Sequence, residues 1–142
     1  MQAFYKEAIL ISEQNVELVR STFDAVLRGD YQEATRGFHS DAVWHNTAEF
    51  PGQRTCVGTQ AIIDFWETLL EPFVTSGMDI ERLIEGEDSV VLGVHSVGRG
   101  KASGVPLDFH WGAAFHVRDG KISRVDVHGD WAKALKAVGL EG

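Results

Sequence analysis

The chain has 142 residues, 44% of them hydrophobic and 24% charged, and 13 Lys and Arg against 21 Asp and Glu leave a net charge of −8. That length supports one globular domain with its own core, and a negative field of this size argues against a nucleic-acid partner because it repels phosphates. The single cysteine, Cys56, cannot form an internal disulfide and points to a reducing, cytoplasmic setting, and no run approaches the roughly 20 apolar residues of a membrane span, so no membrane is expected as a partner either.

Along the chain, residues 1–12 read as an N-terminal extension and 13–140 as a single domain. Val16, Val19, Phe23, Val26 and Leu27 recur at helical spacing and run into Gly29-Asp30, a stop and a fresh start for a short helix over 31–38. Ser40 and Asp41 then predict a turn into a strand over 42–46. Residues 47–56, with Pro51 and Gly52, have no period and read as a loop over a site. Its charges Glu49 and Arg54 are either ligand contacts or solvated, and Cys56 reads as an incidental thiol. Ile62, Phe65, Trp66, Leu69 and Leu70 form an amphipathic stripe, with Thr59 as the expected N-cap and Pro72 beyond the end.

Four strand-like runs follow, over 78–85, 90–98, 105–117 and 121–128, with a short helix over 131–138. Short turns between them predict antiparallel neighbours. The expected fold class is therefore α+β: helices packed on one face of a curved antiparallel sheet.

If Val117 lies opposite Lys121 across a tight turn, alternation assigns the faces. One collects Phe109, Trp111, Ala113, Phe115 and Val117 with Ser123, Val125 and Val127, joined by Val90, Leu92, Val94 and Ser96. This face must lie under the helices, either as a solid core or as the wall of an apolar cavity. The other collects His110, Gly112, Ala114 and His116 with Arg124, Asp126 and His128. His95, His110 and His128 fall in lateral register there beside Asp126, a spacing open to zinc or nickel. Histidines on an open sheet face more often serve a partner interface, so neither a metal nor a cofactor is expected.

The helix and stop of 15–30, the run Phe38-His39-Ser40-Asp41-Ala42-Val43-Trp44-His45-Asn46, Gly58-Thr59-Gln60-Ala61-Ile62 and Val117-Arg118-Asp119-Gly120-Lys121-Ile122 together resemble the SnoaL-like branch of the nuclear transport factor 2-like superfamily, over about residues 13–140. The resemblance implies a cone-shaped cystatin-like roll with a small-molecule pocket, and the family's habit implies a homodimer through the outer sheet face. The family includes ketosteroid isomerases, polyketide cyclases and limonene epoxide hydrolases, so fold alone does not settle function.

The isomerases' base Asp, Tyr and protonated Asp would fall at Asn46, near Thr22 and near Ala113. The cyclases' Asp and His would fall at Val127 and Ala113, and only their Asn is kept, as Asn46. The epoxide hydrolases' Tyr falls at Trp44, and their Arg and Asp positions fall at Val94, Ser96 and Val127. Losing a positioned proton-transfer group ordinarily costs at least about 10²-fold.

Two routes remain open. One is an enzyme of isomerase, cyclase or epoxide hydrolase type with relocated residues, for which a β-bulge would bring His110, His116, Asp126 or His128 inward, making Asn46, His110, Asp126 and His128 the catalytic candidates. The other is a non-catalytic ligand-binding or dimerising protein of the same fold. Either way the expected ligand is a small apolar or amphipathic molecule held by Trp44, Asn46, Phe65, Trp66, Val94, Ser96, Phe109, Trp111, Ala113, Phe115 and Val127.

Overall fold

The computed structural model describes residues 2–47, 55–86 and 88–139. Its elements are helix α1 (Gln2–Leu27), helix α2 (Tyr31–Ala34) with a following 3-10 turn, strands β1 (Phe38–Asn46) and β2 (Thr55–Val57), helix α3 (Thr59–Leu70), strands β3 (Phe73–Glu85), β4 (Ser89–Gly100), β5 (Pro106–Arg118) and β6 (Lys121–His128), and helix α4 (Trp131–Ala137). The helix α1 runs unbroken across the boundary expected at residue 12. It buries Val19 and Phe23 and ends where Gly29 takes φ 79°, with Asp30 N–H donating to Ala25 O at 2.9 Å. That backbone closure satisfies last-turn carbonyls, and glycine adopts its left-handed conformation without a Cβ clash. Asp30 then caps α2 by accepting from Glu33 N–H.

The six strands form one sheet in the order β2-β1-β6-β5-β4-β3. The run from β3 to β6 is the expected antiparallel meander, but β1 joins β6 in parallel, with Trp44 opposite Val125 and Asn46 opposite Val127. The sheet is therefore mixed. The strand β1 starts at Phe38, so Ser40 and Asp41 lie inside it instead of forming a turn, and the register shifts between Phe38 and Val43. Cys56 is buried on β2 rather than set in a loop, while Glu49 and Arg54 lie outside the described residues. Gly58, at φ 90°, takes the N-cap position of α3 in place of Thr59.

The final hairpin corrects the assumed register. Arg118, not Val117, faces Lys121 across a two-residue turn in which Asp119 and Gly120 both have positive φ, as a type I′ hairpin turn requires. Val117 faces Ile122 and His116 faces Arg124, so Ser123 is an extra residue and Ile122 becomes the buried one. Beyond this shift Phe115 pairs with Val125 and Ala113 with Val127, which restores the expected inner face.

Helices α1 and α3 cover the inner face in one large apolar cluster that includes Phe23, Trp66, Val94 and Phe115. The helix α4 covers part of the opposite face, where Ala134 packs with Val91 and Ala114. Gly112 permits that approach, since a Cβ there would stand 2.6 Å from the Asp130 carbonyl oxygen. No helix among the described residues is long and apolar enough to cross a membrane.

Candidate functional site

An inner chamber of about 80 Å³ lies between α1, α3 and the concave face of the sheet. Its walls are mainly aromatic: Phe23 from α1, Trp44 from β1, Phe65 and Trp66 from α3, and Trp111 and Phe115 from β5. The rings brace one another. Trp44 meets Trp66 edge-on at 5.4 Å between centroids, and Phe23 leans on both Trp111 and Phe115 at 6.0 and 5.8 Å. Such tilted contacts suit the ring quadrupoles and fix the wall.

An outer chamber of about 420 Å³ shares Leu69, Leu70, Met78, Ser96, Phe109 and Trp111 with the inner one and continues past Phe73, Leu107 and His110. That volume is within the roughly 300–1,000 Å³ of small-molecule pockets, whereas the inner chamber has room only for one end of a ligand. A groove of about 470 Å³ between α1, α3 and β3 is larger, but Arg28, Glu67, Glu71 and Lys101 line it and it opens to solvent. The apolar pair of chambers is the stronger ligand site.

Two of the indoles are anchored by small polar side chains. Trp111 Nε1 donates to Ser96 Oγ at 2.9 Å, and Trp44 Nε1 donates to Asn46 Oδ1 at 3.1 Å. Ser96 lines both chambers, so its hydroxyl accepts from one wall and has a proton to offer inward. Thr22, on α1, donates its own hydroxyl proton to Leu18 O at 2.9 Å and lines the inner chamber with its lone pairs. Among the described residues the inner lining carries no acid or base.

Eight of the eleven expected ligand contacts line the inner chamber: Trp44, Phe65, Trp66, Ser96, Phe109, Trp111, Phe115 and Val127. Val94 and Ala113 are buried in the core without reaching it, and Asn46 is fully buried behind Trp44. The lining also includes Thr22, Phe23, Val26, Leu69, Leu70 and Met78. The helical stripes of α1 and α3 carry four of these, but the strand-face argument had no means of reaching across to them.

The inward bulge that a relocated active site would need does not occur between β4 and β5. From Ser89 opposite His116 to Arg99 opposite Pro106, β4 and β5 pair without a register shift, so His110 and His116 stay on the outer face. There His110 is hydrogen-bonded to Glu81, although it also borders the outer chamber. Asp126 faces outward with Arg124 and His116; burial alone would raise its carboxyl, but hydrogen bonds from His116 and Arg124 outweigh this and bring the pKa down to about 2. His128 pairs with Gly112, not with His110, and is buried at 8% exposure on the side of α4. The three histidines expected in lateral register are thus two.

The SnoaL-like domain model matches residues 19–125. The chain belongs to this family. A protein from Bacillus subtilis assigned as an isomerase superposes with a TM-score of 0.74 at 19% identity, over 91% of this chain and 95% of that one. A protein from Jannaschia sp. assigned as a SnoaL-like polyketide cyclase gives 0.74 at 20% identity, over 93% and 96%. TerC crystallised with polyporic acid gives 0.70 at 20%, over 82% and 92%. At these identities the likeness is one of fold. No curated protein shows a matching sequence.

Proposed function

We propose that this SnoaL-like protein binds a small, largely apolar molecule whose narrow end, bearing one hydrogen-bond acceptor, enters the inner chamber beside Ser96 while its body lies in the outer one. The observation that carries this reading is the chamber itself: an aromatic cage whose polar groups are the Ser96 and Thr22 hydroxyls, with no acid or base in the described inner lining. Isomerase and cyclase chemistry both need a proton donor or acceptor against the substrate. The inner chamber offers none among its described residues, and His110, which borders the outer chamber, is hydrogen-bonded to Glu81 on the outer face, so the geometry favours a binding module over an enzyme with relocated residues.

Tryptophan fluorescence reads binding directly, because Trp44, Trp66 and Trp111 line the chamber. The wild-type chain is expected to bind 2-acetylnaphthalene more tightly than 2-isopropenylnaphthalene, in which a CH2 group takes the place of the carbonyl oxygen. Ser96→Ala should remove about 1 kcal/mol of that preference, roughly fivefold. Equal affinity of the wild type for the two probes, or quenching by neither, would overturn the reading.

We also infer a homodimer through the part of the outer face that α4 leaves bare, where Val74 is 39% exposed and Val97 stands on the neighbouring strand. Sedimentation at micromolar concentration should give twice the chain mass, and a single-chain mass would remove this inference.

A further inference from the structure

Three strands bring a second constellation together on the outer face. His95 of β4 and His110 of β5 are direct cross-strand partners, with ring centroids 4.3 Å apart and planes within 10° of parallel. Glu81 arrives from β3 by an irregularity. Ile80 pairs with Val94 and Arg82 with Gly93, so Glu81 is an extra residue in its strand. A bulge of this kind re-aims a side chain. Here it carries Glu81 Oε1 past β4 to 2.8 Å from His110 Nδ1. One donor atom from each of Glu81, His95 and His110 lies within 4.8 Å of the others.

We propose that Glu81, His95 and His110 form a binding site for a divalent transition-metal ion of the zinc type, with Asp108 orienting His95. Two imidazoles and a carboxylate are the donor set such ions take, and three protein ligands leave a coordination position for water or a solute. With metal–donor bonds of about 2.0–2.1 Å, donors in a tetrahedral shell stand roughly 3.3 Å apart, so donors now within 4.8 Å of one another must shift by up to about 1.5 Å. The two rings must turn as they bind, since one ion cannot lie in two parallel ring planes. The His110 ring has the most room for that turn: the side chains of Glu81, His95 and His110 are 46%, 26% and 63% exposed.

Asp108 supplies the outer support. Its Oδ1 lies 2.7 Å from His95 Nε2, which leaves Nδ1 as the His95 donor and makes that nitrogen more basic. The net charge of −8 adds a long-range attraction for cations. Two solvent-exposed ion pairs contribute little to stability, so pairing alone does not account for a bulge that delivers Glu81 to a stacked histidine pair. Because His110 also borders the outer chamber, the ion would sit at its rim.

The test is isothermal titration of the metal-free full chain with zinc sulfate at neutral pH. One ion per chain with a micromolar Kd is expected. His110→Ala and Glu81→Gln should each weaken binding by more than about 100-fold, as loss of a direct ligand must exceed the roughly 10–100-fold effect of losing a supporting group such as Asp108 in Asp108→Asn. His39→Ala, on β1 and outside the cluster, should leave the titration unchanged. His110→Gln replaces the alanine variant if circular dichroism shows that variant unfolded. No saturable binding by the wild type, binding that His110→Ala and Glu81→Gln leave intact, or loss in only one of those two would overturn the three-ligand site.

Discussion

Phe115→Ala is expected to lower the unfolding free energy by about 3–5 kcal/mol, the usual cost of emptying a buried aromatic site. Phe115 is 1% exposed, sits between Val90 and Val125 in the sheet, and touches both Phe23 and Trp44 with its ring. Truncation removes a wall that three elements share, and the sheet backbone prevents collapse into the space. Urea unfolding followed by circular dichroism should show a lower midpoint with a little-changed slope. The same variant enlarges the inner chamber, so its preference should move toward bulkier probes. A loss below about 1 kcal/mol would mean that the aromatic cage is loosely packed and does not hold a fixed shape.

Asn46→Asp places a carboxyl where the sequence resemblance puts the isomerases' base, yet it should damage the protein and gain no activity. Asn46 is fully buried behind Trp44 and outside the chamber lining. A carboxyl placed there has its pKa raised by about 3 units or more from its unfolded value near 3.9, because burial penalises the charged form. The sign follows from linkage: the folded state holds the proton more tightly, so stability falls as pH rises above about 4. At pH 7 the expected cost is about 4 kcal/mol, shrinking to less than about 1 kcal/mol at pH 4. Equal destabilisation at both pH values would show that the new carboxylate is solvated, and an isomerase rate above background would show that residue 46 reaches a substrate.

The elements with strong periodicity were legible in the sequence. The Ile62-Phe65-Trp66-Leu69 stripe marks α3, and 121–128 matches the last strand in its bounds though not in its register. What was not legible shares a cause. A period of two assigns faces only while the register holds, and extra residues at Glu81 and Ser123 break it without any mark in composition. Sequence reasoning therefore placed His128 beside His95 and His110 and had no route to Glu81. The Trp44–Asn46 bond was hidden differently: alternation puts both on one face of β1, but nothing in the spacing tells whether the amide serves a ligand or a neighbouring indole.

The irregularities of β3 have a further consequence. At thirteen residues it is the long outermost strand of an open sheet, so it presents unpaired N–H and C=O groups along its free side, with Val74 and Ile84 each 39% exposed. A flat strand of that length is a template on which another chain can add. Two register shifts, between Thr75 and Gly77 and between Ile80 and Arg82, twist it out of plane, and Asp79, Glu81, Arg82 and Glu85 set charges along it. Straightening β3 by deleting Glu81 would thus trade a twisted rim for a flat one, and the cost would fall on colloidal behaviour, as fibrils or precipitate at high concentration, before it appeared in the fold.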